Sequence, residues 1–239
     1  MTEDTNAAIW KSDEIIRQWV ASAGDRERAR AATWRLMGGL LPFETEEAFL
    51  FLDLGAGTGG AAQVILDLFP KSTALLADYS SQMMEAGTAA MSKYAGRFSY
   101  VEFDMLAGAW PDAIPEDLDA VVTSLCVHHL PDERKQGLFR EILDRLKPGG
   151  WYLNFDPVSA PDVLVGEAWS RVDEREDPGS TERSHHRSPQ EQARYENHVR
   201  YIIPLDRQVD YLRAAGFEGV DVYWKRLDYV IYGGRRPSR

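Results

Sequence analysis

Three aspartates, Asp53, Asp78 and Asp104, and four glycines packed between positions 55 and 60 are the residues of this 239-residue chain whose types and spacing could do chemistry. The run LDLGAGTGG fits two patterns at once. Gly55, Gly57 and Gly60 satisfy GxGxxG, the spacing of a dinucleotide-binding turn, whereas Asp53, Gly55, Gly57 and Gly59 satisfy DxGxGxG, the version that takes a nucleoside sulfonium. Both stay open on this stretch alone. Gly55, Gly57 and Gly59 allow positive φ and close approach of a ligand to the backbone, and the helix that follows begins with NH groups lacking internal partners. Such a turn holds a polar, often anionic, group. Asp78, at the end of the next apolar run, is placed to accept two hydrogen bonds from ribose hydroxyls. Asp104 separates the two patterns, because an acceptor beside the NH of Met105 suits the amino group and ring nitrogen of adenine.

Two groups of histidines could add proton or metal chemistry. His128 and His129 follow an apolar run and precede Pro131 and Asp132, and an imidazole there suits removal of a proton near neutral pH. Glu182, His185 and His186 stand in a polar loop; adjacent histidines rarely converge on one ion, so no metal site is expected there. Tyr195, His198 and Tyr201 share one face of a helix begun at Ser188, where they either contact a planar substrate or pack against the protein.

The elements that must position these residues follow from periodicity. Phe49, Leu50, Phe51 and Leu52 read as a strand buried on both faces, and Ala61, Val64, Ile65 and Leu68 as the helix after it. Further strands are read at 72–77, 98–103, 118–127 and 151–155, with amphipathic helices between them through Met83, Met84, Gly87 and Met91 and through Phe139, Ile142, Leu143 and Leu146. This alternation predicts an α/β, doubly wound sheet. Two helical patterns, about 4–22 and 25–41, precede it and carry Trp10, Trp19 and Trp34; they are read as a cap over residues 1–47. At 157–204 the alternation lapses into a short helix around Trp169, a polar stretch and the capping-box sequence Ser188, Pro189, Glu191, read together as a lid. A last helix capped by Asp206 and a hairpin of 220–224 with 227–232 close the chain.

Composition narrows the partners. The formal net charge of −11 is spread along the chain, which argues against a large nucleic-acid footprint. Cys126 is the single cysteine, so no internal disulfide forms. No stretch is apolar for the length a bilayer needs and the first residues lack a signal-peptide pattern, so no membrane partner and a cytoplasmic location are expected. The oligomeric state stays open, and the tryptophans on the N-terminal helices are compatible with a homodimer.

Taken in order, LDLGAGTGG, Asp78, the Asp104 and Met105 pair, SLCVHHLPD (124–132) and RLKPGG (145–150) resemble a class I S-adenosylmethionine-dependent methyltransferase of the small-molecule type. The resemblance implies a seven-stranded, mostly parallel sheet whose last strand is antiparallel, with S-adenosylmethionine as cofactor and residues 48–239 as the domain that binds it. By the same resemblance Asp53 orients the glycine turn and the methionine ammonium, and Gly55, Gly57 and Gly59 admit the methionyl and ribose parts. Asp78 takes the ribose diol, Tyr79 lies along the adenine, Asp104 and Met105 meet its edge, and the carbonyl region of Leu125 closes on the methionine end. His128 aligns with the catalytic histidine of plant phenolic O-methyltransferases. The implied reaction is methyl transfer to O, N or C of a small aromatic or heterocyclic metabolite. A tRNA or protein substrate, a non-methylating role and NAD-dependent oxidoreduction are the alternatives.

Overall fold

The computed structural model describes residue 17, residues 23–180, residue 182 and residues 186–238. Apart from residue 17, the first helical pattern, with Trp10 and Trp19, lies outside them, as does His185. Helix α1 (Ala23–Gly39) leads to strand β1 (Leu50–Leu54), α2 (Gly60–Leu68), β2 (Thr73–Asp78), α3 (Ser81–Ala90), β3 (Phe98–Glu102) and β4 (Leu118–Ser124). A 3-10 turn (Val127–His129) then precedes α4 (Asp132–Arg145) and β5 (Leu146–Pro157). The remainder is α5 (Val163–Glu176), α6 (Pro189–Val199), α7 (Leu205–Ala215) and the hairpin β6 (Glu218–Arg226) and β7 (Tyr229–Arg235).

The seven strands form one sheet in the order β3-β2-β1-β4-β5-β7-β6. All neighbours are parallel except that β7 runs against both β5 and β6, so the last strand is the antiparallel one. β1 has Phe51 to Leu54 buried, as a central parallel strand must, since helices cover both faces of such a sheet. Two apolar clusters lie on the two faces, one around Leu138, Phe139 and Tyr152, the other around Met37, Phe51 and Ile65. Trp34 joins the second cluster, and its indole NH donates to Ser124 Oγ at 2.8 Å, tying α1 to the carboxyl end of β4.

Several boundaries differ from the periodicity. β4 stops at Ser124 because Leu125 takes a left-handed conformation (φ 57°), and β5 is longer than expected because the LKPGG segment already pairs through Leu146 with Leu118. Asp206 lies inside α7 rather than at its cap, which is Pro204. Ser188 does form the predicted capping box with Glu191, with proline at the first turn.

The glycine turn is packed from below as well as open above. Gly55, Gly57 and Gly59 have φ of 76°, 54° and 80°. A Cβ on Gly59 would sit 2.2 Å from Met91 Sδ and one on Gly55 2.7 Å from Cys126, so at these two positions the missing side chain admits the protein's own core rather than a ligand. Gly59→Ala is therefore expected to destabilise the fold by about 2–5 kcal/mol through overpacking and left-handed strain. A urea melt monitored by circular dichroism checks this; an unchanged midpoint would refute it.

Candidate active site

The direction of winding reverses between β1 and β4, the kind of switch point beyond whose strand carboxyl ends open α/β sheets bind ligands in a crevice. The glycine turn leaves β1 on one side of this switch point. Residues 125–129 leave β4 on the other.

Two carboxylates fix the turn. Asp78 ends β2 and is buried; its Oδ2 accepts from Gly57 N at 2.8 Å and its Oδ1 from Ser80 N at 2.9 Å, and the carboxylate also accepts from the backbone NH of Tyr79. Asp78 thus ties the turn to β2, a contact between residues 21 apart that sequence reading did not foresee. Asp53 is 1 % exposed, and its Oδ2 accepts from Ala62 N at 3.2 Å in the first turn of α2. Its Oδ1 is buried with no partner among the described residues. Burial first, and then the neighbouring Asp78 charge, push the Asp53 carboxyl up to about 7 against the lowering effect of the Ala62 NH. Because the folded-state value lies above the unfolded one near 4, the ligand-free fold binds the extra proton between them. Its stability should fall as pH rises from about 4 to 7, and Asp53→Asn should flatten that slope in thermal melts across the range.

Beyond β3, Asp104 is exposed and accepts from Leu106 N at 2.9 Å, closing its own turn. The carbonyl of Met105 accepts from Arg134 Nε, and the guanidinium of Arg134 makes a two-pronged pair with Glu141 at 2.8 and 2.6 Å. Arg134 therefore anchors the loop that carries Asp104 and Met105. Tyr79 is half-buried beside Asp78, and Tyr100, whose hydroxyl donates to Gly57 O at 3.0 Å, supports the turn from beneath. Leu125 donates its NH to Phe155 O at 2.8 Å, while the Cys126 thiol donates to Leu54 O. Burial raises that thiol well above its ordinary value, with the buried acids Asp156, Asp53 and Asp78 adding to the effect.

The histidines converge where periodicity gave no reason to look. His128 is 2 % exposed; its NH donates to Asp156 Oδ2 at 2.8 Å and its Nδ1 lies 2.6 Å from Asp156 Oδ1. Asp156, near the end of β5, is fully buried and was not singled out from the sequence. Its only signal there was a charged residue inside an apolar strand. On the other side His128 Nε2 meets Nδ1 of His198, from α6, at 3.2 Å. His129 lies alongside, with Nδ1 buried and unpartnered among the described residues. Burial, followed by the neighbouring imidazoles, lowers His129 to about 2 and His198 to about 4, so both rings are neutral.

Of the face read on α6, only His198 reaches this group. Tyr195 is exposed beneath the Arg187 guanidinium, and Tyr201 offers its carbonyl to Lys135, a fully buried lysine on α4. Glu182 takes part by its carbonyl, which accepts from His186 within the loop.

Residues 51–150 match the sequence profile of a family described as "Methyltransferase domain". That segment is similar to a methyltransferase domain. A highly reducing polyketide synthase of Aspergillus aculeatus is 32% identical over 116 residues, 45% of this chain and 5% of that protein. Bovine (Bos taurus) acetylserotonin O-methyltransferase is 25% identical over 154 residues, 64% of this chain and 41% of that protein. Human N-acetylserotonin methyltransferase, solved in complex with SAM, superposes with a TM-score of 0.64 at 17% identity, covering 96% of this chain and 58% of that one. The likeness in fold therefore extends well past the matched profile, to α1 and to the closing hairpin. The chain spans less than half the length of these curated relatives. No helix among the described residues is long and apolar enough to cross a membrane. Within the matched segment, Asp53, Gly55, Asp78, Asp104, Leu125 and His128 all lie at the ends of strands β1 to β4 or follow them.

Proposed function

We propose that this protein transfers the methyl group of S-adenosylmethionine to a small aromatic or heterocyclic acceptor, at oxygen in the first instance. The observation that carries the reading is the charge near the switch point: Asp53, Asp78 and Asp156 are buried acids near the carboxyl ends of β1, β2 and β5, and a ligand bearing an ammonium and a sulfonium gains from them where a pyrophosphate would be repelled. In this reading Asp53, whose Oδ1 is unpaired, faces the ammonium side and Gly55, Gly57 and Gly59 line the methionyl and ribose path. Asp78, at the end of β2, takes the ribose diol. Tyr79, Asp104 and Met105 border the adenine, and Leu125 closes on the methionine.

Methyl transfer is an in-line displacement, and alignment of the two reactants supplies most of what the protein must contribute, up to ~7–11 kcal/mol in favourable cases. The acceptor must also lose a proton. His128 is our choice for receiving it: the Asp156 carboxylate holds Nδ1, which orients the ring and leaves Nε2 as the basic nitrogen. We assign residues 1–47 to a cap and 157–204 to a lid, on the support of Trp34 bonded to Ser124 and His198 seated on His128. A small acceptor is favoured over tRNA by the net charge of −11, and the free thiol of Cys126 favours a reducing, cytoplasmic compartment.

Calorimetric titration with S-adenosylmethionine, its demethylated product and NADH tests the cofactor. Micromolar or tighter binding of the sulfonium pair is expected, followed by turnover in a screen of phenols, amines and heterocycles. Binding of NADH alone would overturn the reading.

A further inference from the structure

We propose that His128, His129 and His198 form a binding site for one divalent zinc-class ion, with Asp156 as its outer-sphere anchor. One ligand atom from each of the three rings lies within 4.8 Å of the other two, and this is the one such group among the described residues. His128 Nε2 and His198 Nδ1 are already 3.2 Å apart. Two nitrogens on a tetrahedral zinc, each at ~2.0–2.1 Å from the ion, stand about 3.4 Å apart, so this edge of the polyhedron needs almost no adjustment. The third ligand is independently marked, since His129 Nδ1 is buried with no partner among the described residues, a cost that an ion would relieve.

The outer sphere matches as well. A ligating imidazole commonly donates its other NH to a carboxylate, which fixes the tautomer and strengthens the ligand. His128 has that arrangement, with Nδ1 2.6 Å from a fully buried Asp156 whose charge also offsets that of the ion. Three imidazole ligands leave a tetrahedral ion one open position. The general-base reading of His128 applies to the metal-free protein, because Nε2 would be a ligand when the ion is bound. Binding of the ion stands apart from the methyl-transfer reading and is testable without cofactor or acceptor.

The test is equilibrium dialysis of the untagged full chain against Zn2+, with metal content measured directly. One equivalent bound at micromolar affinity or tighter is expected. His198→Ala and His129→Ala should each weaken it at least ~10-fold, and Asp156→Asn ~10–100-fold. His186→Ala, in the exposed loop, should leave it unchanged. Co2+ in place of Zn2+ should give the intense visible absorption of a tetrahedral ion, lost in His198→Ala; His198→Gln serves if the alanine variant fails to fold by circular dichroism. Absence of stoichiometric binding overturns the proposal, and so does binding that survives loss of both His129 and His198 or disappears in His186→Ala.

Discussion

Asp78→Ala should lower the affinity for S-adenosylmethionine by ~10²–10⁴-fold. A hydrogen bond to a charged group is worth ~1.5–3 kcal/mol, two ribose hydroxyls would be lost at once, and each 1.4 kcal/mol is about a factor of ten. The same loss should appear with the demethylated product, because the ribose is common to both ligands; a loss confined to the sulfonium form would place Asp78 elsewhere. The substitution also removes the acceptor of Gly57 N and Ser80 N, so thermal melts belong beside the titration. A folded Asp78→Ala protein with unchanged affinity would sink the ribose assignment.

His128→Ala should reduce turnover by ~10²–10⁴-fold, the range of a lost general base, while cofactor affinity stays within about twofold. The separation of the two readouts follows from position: His128 is held by Asp156 on β5, whereas the cofactor's proposed contacts other than Leu125 follow β1, β2 and β3. Asp156→Asn should give a smaller loss, since an amide still accepts one hydrogen bond but no longer favours a single tautomer of the ring. If His128→Ala loses its secondary structure by circular dichroism, the imidazole is a structural plug and the proton goes to another group. Turnover retained in a folded His128→Ala protein leads to the same conclusion.

Sequence and structure agree best where the chemistry is local. The turn at 55–60 is legible because strand, positive-φ glycines and helix follow one another without a break, and the capping box at Ser188 because its partners are three residues apart. Agreement weakens where a boundary depends on a distant neighbour. Pro148, Gly149 and Gly150 look like a turn that would start β5 at 151, yet β4 already pairs with the segment at Leu146, and the hairpin joins from Trp151. The alternation of 220–224 with 227–232 likewise gave the hairpin, but not that β7 slots between β5 and β6.

The glycine turn shows the same division within one motif. Residue types alone explain the backbone conformation, but that Gly55 and Gly59 are bare because Cys126 and Met91 fill the space beneath them is a packing fact. The polar chain under the crevice is another: Thr123, Tyr152, Asn154, Tyr232 and Gln208 link β4, β5, β7 and α7 by hydrogen bonds between residues up to 78 apart.

What the sequence determined by itself is the αβ alternation, the cofactor-type turn and the acids that end β2 and follow β3, since hydrophobic period and turn chemistry act over a few residues. What the tertiary structure decided is the acceptor side. Asp156 lies 28 residues from His128 and His198 lies 70 away, and no local rule pairs them. They meet because parallel β4 and β5 bring their carboxyl ends together, and because α6 returns across that edge.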